Sequence, residues 1–344
     1  MAPSTTRDAA TLTPPVSVPV IPDIDAALQD RLVEGMGLVQ QRLHQVIAHE
    51  DDFIAEAAGH LARAGGKRFR PLLTLLCAEV GQGRNEQVVD AAVGVELTHL
   101  ASLYHDDVMD EAELRRGVQS ANLRYGNAVS ILVGDLLFGT ASSVIADLGP
   151  EAVKVQAETF VRLCSGQIRD ERPPGDGVEP ADYYLGVLAD KTGSLIATAA
   201  WYGATFGGCD DRTRDTLTAY AEKLGVVFQL ADDLLDVSSD ASDSGKTPGT
   251  DLREGKATLP VLYARASTDP ADERLRGLLA GPISDPREVA EAVRLLREHP
   301  AMEQARRHTR QVAGEARALL AGLPDQPAVR ALQALVDGVA ERSA

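Results

Sequence analysis

Two short acidic patterns are the residues most able to do chemistry. In His99-Leu-Ala-Ser-Leu-Tyr-His-Asp106-Asp107-Val-Met-Asp110, an Asp-Asp-x-x-Asp run lies inside an apolar helical stretch. Gln229-Leu-Ala-Asp232-Asp233-Leu-Leu-Asp236 repeats it after a stretch containing Leu224, Val227 and Phe228. On a helix, Asp106 and Asp110 lie about 6 Å apart along the axis and project from one face; Asp232 and Asp236 repeat the arrangement. Carboxylates so spaced can share hard divalent cations and leave positions open for water and phosphate oxygens. One such run alone reads equally well as a solvated acidic helix end. Two of them, each after hydrophobic turns where unpaired charge is expensive, point instead to several Mg²⁺ ions around a diphosphate. Neither run has the glycine-containing loop of an EF-hand calcium site.

A site for anionic substrates also needs cations, and the chain as a whole is acidic, with a formal net charge of −17. That balance argues against a nucleic-acid partner, which requires a basic face. A local cluster is present in Lys67-Arg68-Phe69-Arg70, just before Pro71, where a helix can begin. An anion there would meet side-chain charge together with exposed backbone N–H groups, although an ordinary solvated turn has the same composition. His99 stands two helical turns before Asp106 on nearly the same face. His105 adjoins the aspartates but points elsewhere and is assigned a structural role.

The elements that must position these residues are helices. Of the 344 residues 44% are apolar and only 4% aromatic, a mix that favours helix over sheet. Helical spacing begins with Leu28, Leu32, Met36, Val39, Leu43 and Ile47. It continues over 51–63, 71–81, 88–113, 127–147, 151–169, 181–206, 212–237 and 256–266, and in further blocks to the end. Gly65-Gly66 closes one helix, while 173–177 and 238–255 read as loops. Residues 1–22, rich in Pro, Thr, Ser and Ala, read as a disordered N-terminal tail, and 23–344 as one all-α domain. Cys77, Cys164 and Cys209 are widely spaced and read as buried structural thiols in a reducing compartment. No run approaches the length of a membrane span, and no signal-peptide pattern opens the chain, so a cytoplasmic location is expected.

The two acidic runs, together with Gly65-Gly66-Lys67-Arg68-Phe69-Arg70-Pro71, Arg115-Arg116-Gly117, Gly134-Asp135, Lys191-Thr192-Gly193-Ser194 and Asp251-Leu-Arg-Glu-Gly-Lys-Ala-Thr-Leu-Pro260, resemble the trans-prenyltransferase (polyprenyl diphosphate synthase) family. The resemblance covers most of residues 50–265, and the order and spacing of the pieces make it specific. It implies an all-α helical bundle of the isoprenoid-synthase type around a deep central cavity. It implies a Mg²⁺-dependent head-to-tail condensation of isopentenyl diphosphate with an allylic diphosphate such as farnesyl or geranylgeranyl diphosphate. By that resemblance Asp106, Asp110, Asp232 and Asp236 would bind metal. Lys67, Arg70, His99 and Arg116 would hold the diphosphate of isopentenyl diphosphate. Arg115, Lys191, Thr192, Gln229 and Lys246 would hold the allylic diphosphate. Lys246 and Lys256 would supply charge on closure of the 238–256 segment, and Asp106, Asp110, Asp232, Arg115 and Lys191 would carry catalysis. A homodimer is implied, and a lipid product implies peripheral membrane contact for its release.

In this family, bulky residues four and five positions before the first aspartate form a floor that stops chain growth. Here those positions hold Ser102 and Ala101, which suits a medium- or long-chain product. Tight helix packing would also explain small residues there. A shorter-chain geranylgeranyl diphosphate synthase and a non-catalytic partner subunit remain as alternatives. A terpene cyclase would need neither the second diphosphate site around Lys67, Arg70 and His99 nor the second acidic run.

Overall fold

Asp25 starts the first helix, Ala26–Val46 (α1), because its carboxylate accepts the Leu28 N–H at 2.9 Å. Leu28, Leu32, Met36, Val39 and Leu43 then form one buried stripe. The computed structural model describes residues 21–22, 24–238 and 248–342. After α1 come Asp52–Arg63 (α2), Phe69–Ala78 (α3) and Glu86–Met109 (α4). The two-residue strands Leu114–Arg115 (β1) and Val118–Gln119 (β2) then pair antiparallel. Ala121–Tyr125 (α5), Asn127–Ala146 (α6), Pro150–Asp170 (α7) and Pro180–Leu188 (α8) follow. A π-turn at Ala189–Gly193 leads into Ser194–Phe206 (α9), and then Asp211–Ser238 (α10). The C-terminal elements are Thr250–Glu254 (α11), Leu259–Arg265 (α12), Glu273–Leu278 (α13), Pro286–Glu298 (α14), Pro300–Leu319 (α15) and Pro327–Glu341 (α16).

Every residue from Ala91 to Thr98 in α4 is buried, as is every residue from Ser194 to Ala200 in α9. Helices apolar on all sides belong at the centre, and α3, α6, α7 and α10 pack around these two. Close approach needs a missing side chain: a Cβ on Gly203 of α9 would lie 2.1 Å from the Thr74 carbonyl oxygen of α3. A second apolar cluster joins Leu230, Leu234 and Val237 of α10 to Leu259, Val289 and Leu296. The helix α10 therefore runs from the main core into the C-terminal layer, with the second acidic run at that junction.

Several expectations need correction. The helix expected from Pro71 begins at Phe69, with Arg68 in a left-handed conformation (φ 46°) at its N-cap. The helix expected over 181–206 is interrupted by the π-turn, and the loop expected over 238–255 contains α11. Ile21 is buried in the main core, so the tail composition extends past the point where the chain joins the fold. Only Cys77 is fully buried; Cys164 and Cys209 are half-buried, and all three are free. The expectation that no run approaches a membrane span also fails. By length and composition α6 is apolar enough to cross one, yet it packs along α4 with Val133, Leu137, Ala141, Val144 and Ile145 buried.

Candidate active site

The first acidic run occupies the last turn of α4, where adjacent aspartates face different surroundings. Asp106 is half-buried, Asp107 fully buried and Asp110 exposed at the C-cap. Asp107 accepts the Arg115 Nε–H at 2.6 Å, and Arg115 Nη2 lies 3.8 Å from Asp110. The second oxygen of Asp107, Oδ2, is buried without a protein partner. Burial pushes the Asp106 carboxyl up; Lys191 opposes that shift and Asp110 adds to it.

The second run, in the last turns of α10, divides in the same way. Asp232 is exposed, while Asp233 is buried and accepts hydrogen bonds from the Tyr184 hydroxyl and from Gln229 Nε2, the latter at 3.0 Å. Burial, reinforced by Asp251, pushes Asp233 up to about 8. In Asp236 the two carboxylate oxygens accept the Thr250 and Asp251 N–H groups, each at 3.1 Å. It thereby holds the first turn of α11, because helix N-termini offer unpaired donors.

Two lysines from other elements act on the first run. Lys191 pairs with Asp170 at 2.7 Å and acts on Asp106 across the cleft. Lys256 pairs with Glu254 at 2.6 Å. Burial alone would lower the Lys256 pKa, but Glu254, Asp110 and Asp251 outweigh it and leave it raised. A cavity of about 800 Å³ opens among Lys191, Thr192, Gln229, Asp233, Asp251 and Lys256. Thr192 Oγ1 lies 3.5 Å from Gln229 Oε1, so the π-turn and α10 meet in its wall. Lys246 lies outside the described residues.

On the other side of Asp106 is a cationic pole. Burial depresses His99 well below the usual histidine pKa, and Arg70, Arg116, Arg68 and Arg115 depress it further, so the imidazole is neutral. Burial lowers Arg70 to about 10, and its Nε has no protein partner. A buried guanidinium N–H without an acceptor, among further cations, is what an anion site would leave before its ligand arrives. Lys67 is exposed beside it. Arg116 is largely a strut: its Nη1 donates to the Gly65 carbonyl at 2.6 Å and to Leu61 at 3.0 Å. The β1–β2 hairpin has Arg116 and Gly117 as its two-residue loop, at φ 55° and 77°. That left-handed turn lets adjacent arginines diverge, Arg115 toward the aspartates and Arg116 toward the Gly65 loop.

Sequence reasoning passed over Arg68 and Glu96, which form a buried ion pair beneath the cationic pole. It also passed over Asp107, Asp170 and Asp233, which hold Arg115, Lys191 and Gln229, and Tyr184, which donates to Asp233. The one sequence signal was an aspartate doublet: neighbours on a helix diverge by about 100°, so one member of each doublet must face inward. His105 has its Nε2 3.1 Å from the Ile131 carbonyl oxygen and 3.4 Å from Asp135.

Below Ser102 on α4, Thr98, Val95 and Gly94 line a small cavity with Ile145, Leu195 and Tyr202. Ser102 is half-buried above this row, one turn from Thr98; Ala101 is fully buried in the core. Tyr104 is turned away, its hydroxyl donating to the Ala57 carbonyl of α2 at 2.5 Å.

The donor chemistry fits hard divalent cations. The exposed or half-buried ligand atoms are carboxylate oxygens, and Asp106 carries an electrostatic strain from Asp110 that a cation would relieve. Among the described residues no three His, Cys, Asp or Glu side chains form a ready-made cage. Mg²⁺ tolerates that, since it retains waters and takes substrate phosphates as ligands.

Residues 51–296 match the polyprenyl synthetase family. The chain is 46% identical over 319 residues to a nonaprenyl diphosphate synthase of Mycobacterium tuberculosis, covering 92% of this chain and 95% of that one. It superposes on a geranylgeranyl pyrophosphate synthase from Corynebacterium glutamicum, complexed with calcium and isoprenyl diphosphate, with a TM-score of 0.83. The identity there is 41%, over 92% of this chain and 98% of that one. A decaprenyl diphosphate synthase from Rhodobacter capsulatus gives a TM-score of 0.83 at 34% identity, covering 92% and 99% of the two chains. An all-α bundle with two acidic runs and a cationic pole about one cleft, matched over most of its length, belongs to the polyprenyl synthetase family and is a prenyltransferase.

Proposed function

We propose that the cleft condenses isopentenyl diphosphate with an allylic diphosphate and that Mg²⁺ is the metal it uses. The observation carrying this reading is that Lys191 and Lys256 stand between carboxylates of different elements, with Arg70, whose Nε has no protein acceptor, at the opposite pole. In this reading Lys191, Thr192, Gln229 and Lys256 bind the allylic diphosphate, and Arg70, Lys67 and His99 orient the other. Bound divalent cations would withdraw charge from the departing diphosphate. The chain supplies no nucleophile. As the allylic C–O bond breaks, the fixed lysines and Arg115 stabilise the negative charge that develops on the leaving oxygen. The double bond of isopentenyl diphosphate then forms the new C–C bond, and loss of one proton restores an allylic diphosphate. The apolar helices around the row from Ser102 to Gly94 exclude water, which would quench the cation.

The small residues at 101 and 102 support a medium- or long-chain product. Exposed Ile131, Leu132 and Leu136 of α6, with Val161 and Ile168 of α7, support a second copy of the chain as the partner. Incubation of the purified protein with Mg²⁺, labelled isopentenyl diphosphate and farnesyl diphosphate tests the reaction. Chromatography should show products longer than geranylgeranyl. Termination at geranylgeranyl would sink the chain-length assignment, and absence of any product would sink the reaction.

A further inference from the structure

The geometry points to Asp190 as a positioning residue: gripped by two arginines of α7, it holds the π-turn that presents Lys191 and Thr192 together to the cavity. This inference rests on the proposal that Lys191 and Thr192 serve the allylic diphosphate. The π-turn is the one interruption in a helical run from Pro180 to Phe206. Such turns are rare because their backbone geometry is poorer than that of an α-helix, so something must retain this one.

The restraints are specific. Arg162 Nε donates to Asp190 Oδ1 at 3.0 Å, and Arg169 Nη1 donates to Oδ2 at 2.9 Å, so both carboxylate oxygens are held. Both arginines are themselves fixed. Arg162 Nη2 reaches Glu222 of α10 at 2.5 Å, while Arg169 lies over the Tyr183 ring, 4.9 Å from its centroid. The Ser194 hydroxyl donates to the Asp190 carbonyl at 2.5 Å, where the turn leaves the α-helical pattern. Glycines permit the close approach: a Cβ on Gly166 of α7 would lie 2.6 Å from the Lys191 nitrogen, and one on Gly225 of α10 would lie 2.7 Å from Gly193 Cα.

Asp190 does not line the cavity, whereas Lys191 and Thr192 do. Its carboxylate faces the arginines of α7, of which Arg169 borders the cavity and Arg162 does not, so the grip of Arg162 reaches substrate through the backbone of the turn. Relaxing the turn to an α-helix would shift the register by one residue, a rotation of about 100° between its flanks. Lys191 and Thr192 could then no longer both face Gln229 and the cleft. An ion pair on an open surface would matter little, but this carboxylate is held at both oxygens between packed helices.

Steady-state kinetics of Asp190→Asn, Asp190→Glu and Lys191→Ala, each with a thermal melt, test the inference. In Asp190→Asn, kcat/KM for farnesyl diphosphate should fall by roughly tenfold to a hundredfold, as expected of a misplaced binding group, with KM for isopentenyl diphosphate unchanged. Asp190→Glu, which keeps the charge, should recover part of that loss. Wild-type kinetics in Asp190→Asn would overturn the inference. So would equal changes in both KM values accompanied by a loss of melting temperature, since that marks a general structural role. Should Asp190→Asn not fold, Arg162→Gln, at a residue outside the cavity lining, removes one of the two grips and carries the same expectations. If Lys191→Ala leaves the farnesyl diphosphate parameters intact, the allylic-site assignment itself fails, an outcome distinct from a silent Asp190.

Discussion

Within each acidic run, neighbouring aspartates have opposite tasks. Asp106 is half-buried and Asp232 exposed, while Asp107 anchors Arg115 and Asp233 receives Tyr184 and Gln229. Asp106→Ala and Asp232→Ala should each lower turnover by about two orders of magnitude or more while far-UV circular dichroism stays unchanged. Normal turnover in both would remove the metal-site assignment. His99 supplies a pH test. The folded state favours its neutral form, so the associated stability is complete above the ordinary histidine pKa of 6.5. That stability is lost as pH falls below this value toward the depressed native pKa. Urea unfolding between pH 7 and pH 5 should show the loss, and His99→Gln should reduce it; identical pH slopes in the two proteins would contradict the burial argument.

At the scale of elements, the site depends on how closely helices cross. Where α9 meets α3, Gly203 places backbone against backbone at Thr74, and a methyl group would fall 2.1 Å from a carbonyl oxygen. The two helices must separate to admit it. Gly203→Ala should therefore destabilise the fold by roughly 1–3 kcal/mol, the usual cost of overpacking, read as a lower melting temperature. An unchanged melt would mean that the crossing is looser than these distances imply. The hairpin that carries Arg115 and Arg116 works by the opposite device, a left-handed turn rather than a tight crossing. In the hairpin the backbone accepts an unusual conformation so that two charged side chains can be aimed apart.

At the scale of the whole molecule, α4 links the chemistry to the size of the product. The acidic run closes its C-terminal end, and Ser102, Thr98, Val95 and Gly94 descend from it into the apolar interior. A bulky group introduced near the top of that row should stop growth early. Ala101→Phe is expected to shorten the product, and Ser102→Phe, which stands directly over the cavity, should do so more strongly. Product chromatography of the two variants decides this, and wild-type chain length in both would reject the row as the path of the growing chain. Ser102→Phe has the smaller folding risk, because Ala101 is fully buried.

Helix content, the acidic runs and the cationic segment were legible in the sequence because each depends on local spacing: apolar residues at helical intervals, carboxylates one turn apart, arginines beside a proline. Chain order alone does not say which of Arg68 and Arg70 meets Glu96, or that Asp236 closes on the N–H groups of residues 250 and 251. It also gave no sign of the π-turn, since 181–206 has ordinary helical periodicity. These outcomes depend on groups brought from distant parts of the chain, such as α7 against α8 and α11 against α10. A charge finds its partner only after packing has removed the water that would otherwise have served it.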